Sequence, residues 1–96
     1  MRVIVSYDVQ TTTPEGRRRL RRVGKACKGY GVRVQYSVFE CSVTPREFPL
    51  LRATLLDIID QDHDSLRLWL LSEDDAGKTE HHGVRQPIDL DGPLIV

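Results

Sequence analysis

A single carboxylate at a strand end, followed by a helix crowded with arginine, is the part of this chain that could do chemistry. Asp8 closes the run Val3-Ile4-Val5-Ser6-Tyr7, and Arg17, Arg18, Arg19, Arg21, Arg22, Lys25 and Lys28 follow shortly after. A hard oxygen ligand of this kind can hold Mg²⁺, or another divalent cation such as Mn²⁺, which keeps several waters and fills its shell from a phosphate. The guanidinium groups can hold a polyanion. Together they suit metal-assisted work on a phosphodiester backbone, the cation polarising a phosphoryl oxygen and acidifying a water for in-line attack. One Asp is too few for a tight site, whereas two symmetry-related copies would supply a pair. The plainer alternative is that Asp8 merely caps the turn after its strand.

The basic helix is the firmer binding element. Seven cations within residues 17–28 repel one another, and only Glu15 lies close enough in sequence to relieve them. Phosphate neutralisation with counterion release would repay that strain and make affinity steeply salt-dependent. Arg33 extends the same field. Such contacts position a backbone without reading its sequence. The competing account is an ordinary solvated face. Phe39 and Tyr36 are aromatic residues in a strand region, able to stack on bases or to pack at an interface, as is Tyr7.

The chain of 96 residues has a formal net charge of zero, which hides a steep asymmetry. Residues 1–33 carry nine Arg or Lys against Asp8 and Glu15, while residues 57–91 carry ten acids against Arg67, Lys78 and Arg85. The local field therefore says more than the overall balance. The two halves attracting each other within the fold would be the bland explanation. The length fits one domain, residues 1–96, burying only about 65% of the surface of its unfolded chain. Cys27 and Cys41 have neither metal-ligand spacing nor a disulfide framework, and read as reduced, partly buried thiols. No apolar run is long enough to span a bilayer and no targeting segment is visible, so a soluble cytoplasmic protein is expected.

The elements that must position these residues follow from patterning. Arg2 to Val9 is dense in β-branched residues and reads as a strand. Thr13 and Pro14 supply an N-cap and a first helical residue. Leu20, Val23, Cys27 and Tyr30 form one buried stripe, and Gly29 and Gly31 end the helix. Val32 to Val43 is extended, either as one strand or as a hairpin breaking near Gln35-Tyr36-Ser37. Thr44-Pro45-Arg46-Glu47 spells a capping box, opening a helix whose apolar face is Phe48, Leu51, Leu55, Ile58 and Ile59. The polar run Gln61 to Ser65 ends that helix, and Leu66 to Leu71 is a strand. A loop rich in acid and histidine follows to about Gln86, then the apolar tail Pro93-Leu94-Ile95-Val96.

This order predicts an α+β, ferredoxin-like βαββαβ fold: an antiparallel sheet with both helices on one face. The other sheet face, bearing Val, Leu and Trp, needs a partner, and a sheet-to-sheet homodimer is the economical answer. The tail, about residues 85–96, would lie at the dimer interface and add a strand to the neighbour's sheet.

Three pieces carry a family resemblance: Ser6-Tyr7-Asp8-Val9, the basic helix running into Gly29-Tyr30-Gly31, and Arg33-Val34-Gln35-Tyr36-Ser37-Val38-Phe39-Glu40-Cys41. With them the chain resembles the small CRISPR-associated adaptation protein family, which partners the CRISPR integrase in spacer acquisition. The resemblance implies a ferredoxin-like homodimer. It also implies a metal-dependent endonuclease acting on single-stranded RNA or double-stranded DNA, and a structural role bridging two integrase copies. Asp8 falls where the family has its metal-binding acid, Arg19 and Arg21 near helix arginines that handle nucleic acid, and Arg33 and Phe39 within the signature.

Other residues carry less. His63, His81 and His82 lie in loops far along the chain and read as solvated, so no general base announces itself. Asp60-Gln61-Asp62-His63-Asp64 resembles the start of a calcium loop but has Ser65 where glycine is required and Leu71 where the bidentate Glu belongs. It reads as a solvated helix exit. A small ligand-binding regulatory module is a third possibility that the fold alone allows. It gives no use to the basic first third.

Overall fold

Alternation in the first strand dictates everything that packs on it. In a computed structural model, which describes residues 1–71 together with Glu80 and His82, β1 spans Arg2–Asp8. Val3, Val5 and Tyr7 are buried, while Arg2, Ile4, Ser6 and Asp8 point the other way. The expected strand reached one residue further; Val9 is buried but lies past the last ladder pair. Helix α1 (Pro14–Lys28) starts as its cap residues predict, with the Thr13 hydroxyl accepting from the Gly16 N–H at 3.1 Å. The extended segment resolves into a hairpin, β2 (Gly31–Gln35) and β3 (Val38–Ser42), turning at Tyr36-Ser37. A register shift between Arg33 and Gln35 bulges β2 just before that turn.

Helix α2 (Glu47–Ile58) follows a reciprocal capping box. The Thr44 N–H donates to Glu47 Oε1 at 2.8 Å, and the Glu47 N–H donates to Thr44 Oγ1 at 3.1 Å. Such a cap contributes about 1 kcal/mol. Strand β4 (Ser65–Leu71) completes the described chain. All pairings are antiparallel, in the order β2-β3-β1-β4, the ferredoxin-like plan expected from the element order.

The core forms where the helix stripes meet the odd-numbered side of β1. Val23 and Cys27 from α1, and Phe48, Leu51, Leu55 and Ile58 from α2, close over Val3, Val5, Tyr7, Phe39 and Cys41. Both cysteines are free and fully buried rather than partly so. Cys41 donates toward the Cys27 carbonyl at 3.9 Å, and the contact with Cys41 together with burial pushes the Cys27 thiol up. The helix ending differs from expectation. Gly29 sits at φ −66°, an ordinary right-handed value, so it is not a left-handed stop. Gly31 is required for another reason: any Cβ there would collide with the Glu40 carbonyl and the Cys41 backbone across the hairpin.

On the other sheet face, ladder partners align Val32, Glu40, Ile4 and Trp69 in one row across all four strands. Val32 and Trp69 are nearly half exposed, and Arg2 pairs with Glu40 beside them. The open face therefore carries Val32, Ile4 and Trp69 in the single chain, interspersed with Glu40, Arg2 and Arg67. The tail, about residues 85–96, and the acidic loop lie outside the described residues, apart from Glu80 and His82. Among the described residues no helix is long and apolar enough to cross a membrane.

Candidate active site

Asp8 is exposed at the end of β1, at the mouth of a cleft of about 360 Å³. Its wall is built from Leu20 and Arg21 of α1, Arg33 of β2, and Tyr36 and Ser37 of the hairpin turn. The turn is held there by the Tyr7 N–H, which donates to the Ser37 carbonyl at 3.0 Å. An acid that the sequence separates from Arg21 and Arg33 thus shares one concavity with both.

Arg33 is partly buried. As the ladder partner of Phe39 it lies on the helix side of the sheet, with its guanidinium carbon 5.1 Å from the Phe39 ring centroid. Gly24 makes room for it: a Cβ there would lie 2.8 Å from Arg33 Nη2. A glycine inside a helix costs about 1 kcal/mol relative to alanine, and a side chain here would require the Arg33 guanidinium to shift. Among the described residues, the buried Arg33 Nε has no hydrogen-bond partner. Burial raises the Tyr7 phenol above its ordinary value, with the Arg33 guanidinium opposing.

Tyr7 and Phe39 lie on the helix side of the sheet, and Tyr7 also lines the cleft. Both occupy odd positions facing the helices, are buried, and pack on each other with centroids 6.4 Å apart. Tyr36, half exposed in the turn, is the more open of the two cleft aromatics.

Arg17, Arg18, Arg21, Arg22 and Lys25 are exposed along α1, as a binding face requires. Arg19 is not free among them. Its Nε donates to Asp64 Oδ2 at 2.8 Å and its Nη2 to Asp64 Oδ1 at 3.3 Å. Nor is the 60–64 segment simply solvated. The Asp64 side chain has no solvent exposure, and it also accepts the Gln10 N–H at 3.0 Å and the Asp60 N–H at 2.9 Å. Four donors satisfy a carboxylate that burial would otherwise penalise.

Burial alone would raise the Asp64 carboxyl, but the Arg19 hydrogen bond and the Asp60 and Gln10 amides outweigh it and hold it at about 2. A folded value below the unfolded one stabilises the protein above about pH 4, and that contribution disappears as pH falls from about 4 towards 2. Allowing for nearby solvent, the amount is roughly 1–2 kcal/mol. Urea unfolding at about pH 6 and about pH 2.5 should therefore show a smaller acid loss in Asp64→Asn than in the wild type.

No histidine reaches the cleft among the described residues. His63 is exposed and contacts Asp60 at 2.9 Å, a hydrogen bond that is the main reason the Asp60 carboxyl lies below its ordinary value. His82 is exposed beside Glu80, and His81 lies outside the described residues. No group of three metal-ligating side chains gathers among the described residues. A water-rich cation such as Mg²⁺ takes one or two carboxylates and completes its shell from phosphate. Asp8 can supply one such ligand, and among the described residues it has no companions for a complete site.

The family described as CRISPR associated protein Cas2 matches residues 1–79. The chain belongs to the Cas2 family. The CRISPR-associated endoribonuclease Cas2 of Chlorobaculum tepidum is 52% identical over 96 residues, covering 100% of both chains. The CRISPR-associated endonuclease Cas2 of Halalkalibacterium halodurans is 47% identical over 95 residues, covering 99% of each. The crystal structure of Streptococcus pyogenes Cas2 at pH 6.5 superposes with a TM-score of 0.76 at 53% identity, over 86% of this chain and 100% of that one. The likeness to Cas2 thus extends from sequence to the ferredoxin-like fold.

Sequence reasoning missed Gly24, Gln10 and Asp64. A helix-interior glycine was a readable signal for the first. For the other two, the contacts join residues 45 and 54 positions apart, which no local pattern displays.

Proposed function

We propose that this Cas2 family member acts in CRISPR spacer acquisition as a homodimeric, divalent-metal-dependent endonuclease in the cytoplasm. Its substrate is the phosphodiester backbone of single-stranded RNA, duplex DNA or both. The observation that carries the reading is the convergence of Asp8, Arg21 and Arg33 on one cleft. The names of the relatives, endoribonuclease and endonuclease, point the same way.

Asp8 from each protomer would hold Mg²⁺ or Mn²⁺, which when bound supplies Lewis-acid activation of the phosphate and of the attacking water. Arg21 and Arg33 would anchor the phosphate, and the outer cations of α1 would hold the flanking backbone. The dimer is supported by Val32, Ile4 and Trp69, which lie in one row with Glu40 on the same sheet side as Asp8, Val32 and Trp69 nearly half exposed. Packing those rows together would bring the two Asp8-bearing strand ends to one side of the interface. In this reading the tail completes the neighbour's sheet and the dimer joins copies of the CRISPR integrase.

One observation favours a second reading, a non-catalytic DNA-binding bridge between integrase copies: among the described residues no side chain in the cleft is placed as a general base. Labelled single-stranded RNA and duplex DNA, each incubated with Mg²⁺ or with chelator, separate the two. Cleavage that needs the metal supports the endonuclease. Salt-sensitive binding without cleavage of either substrate leaves the bridge.

A further inference from the structure

We propose that Asp64 is a positioning residue for Asp8, a role that rests on the metal-site reading above. The Asp64 carboxylate is not among the groups that line the cleft, yet it is tied to both sides of it. Two residues beyond Asp8, the Gln10 amide is tied to Asp64 Oδ1. On the neighbouring strand, Ser65 follows Asp64 directly and is the ladder partner of Asp8 itself. Between these ties lies the buried Val9, so the strand end that carries Asp8 is held at the acid itself and two residues beyond it. The opposite wall is held by the same group. Arg19 grips both carboxylate oxygens, which sets the rotation of α1, and the next two residues, Leu20 and Arg21, line the cleft facing Asp8. The remaining bond, from the Asp60 N–H, anchors the carboxylate to the turn after α2. One buried anion therefore sets the spacing between the metal-ligand acid and the phosphate-facing arginine.

The chemistry explains why a carboxylate is needed. Four N–H groups converge on two oxygens, and an amide in the same place would turn an NH₂ donor against one of them. Asp64→Asn is therefore expected to loosen Gln10 and Arg19 locally while keeping the shape of the side chain. Arg19→Lys, which keeps the charge and loses the two-pronged grip, should produce the same effect in weaker form, and serves if Asp64→Asn does not fold.

The test follows three quantities in the wild type and both variants: amide hydrogen exchange at Gln10, Val3 and Val5; the Mn²⁺ concentration that half-broadens the Asp8 and Val9 amide resonances; and affinity for duplex DNA without divalent metal. The expected result for Asp64→Asn is exchange at Gln10 about tenfold faster with Val3 and Val5 unchanged. The Mn²⁺ requirement should rise about tenfold, as for supporting groups around metal sites, and DNA affinity should stay within about twofold. Exchange that rises equally along the whole strand, or a Mn²⁺ requirement that does not move, would make Asp64 a general stabiliser and overturn the proposal. A wild type showing no Mn²⁺ broadening at Asp8 sinks the metal reading alone. In that event Gln10 exchange still decides: locally fast exchange in Asp64→Asn supports the clamp, and unchanged exchange overturns it.

Discussion

Asp8→Ala is expected to lower metal-dependent cleavage by at least about 10³-fold, roughly 4 kcal/mol of transition-state stabilisation, while nucleic-acid affinity in chelator stays within about threefold. The size follows from the poverty of the site. Each chain offers one carboxylate at the cleft, and no cluster among the described residues stands in reserve. The fold should tolerate the change, because Asp8 is exposed at the last ladder position of β1 and the core lies under its odd-numbered neighbours. Asp8→Asn keeps an oxygen and the shape but loses the charge, and is expected to recover little of the rate. Equal loss of cleavage and of metal-free affinity would instead mean that Asp8 supports the fold or the binding face.

The second large effect belongs to the outer row of α1. Arg18, Arg22 and Lys25 are exposed, follow one another along the helix, and do not line the cleft. Their triple replacement by glutamine should weaken duplex binding by about 10²-fold at moderate salt. It should also lower the dependence of log affinity on log salt by roughly 2–3, close to one unit per lost phosphate contact. Cleavage at saturating substrate should be nearly preserved, since Arg21 and Arg33 remain beside Asp8. Arg19→Gln is expected to change the salt slope little, because its guanidinium is already spent on Asp64. Fluorescence anisotropy over a salt series measures the affinities and slopes, and a cleavage assay at saturating substrate measures the rate.

Much of this architecture was legible because it is local. Alternation from Val3 to Tyr7, the Thr13-Pro14 start and the Thr44–Glu47 box each announce their element within a few residues. The hairpin was ambiguous for a physical reason: the break at Tyr36-Ser37 has neither Gly nor Pro, and the bulge at Val34 blurs the alternation on which strand reading depends. Phe39 shows a different limit. Its alternation with Cys41 places both on the helix side, yet an aromatic in a signature invites a functional role, and burial assigns it to the core beneath Arg33. Arg19 was read as a nucleic-acid-binding cation and Asp64 as part of a solvated helix exit. Only the meeting of α1 with the turn after α2 makes them a buried pair, and sequence distance conceals that.

The most direct test of the central claim, a site shared by two copies of Asp8, is a mixing experiment. Wild-type and Asp8→Ala protomers are mixed in graded ratio at constant total protein, allowed to exchange subunits, and assayed for metal-dependent cleavage. If each active centre needs both carboxylates, activity follows the square of the wild-type fraction and falls to about a quarter in an equal mixture. Activity of about a half, as for independent sites each using its own Asp8, or of about three quarters, as for a centre in which either Asp8 suffices, would contradict a site that needs both.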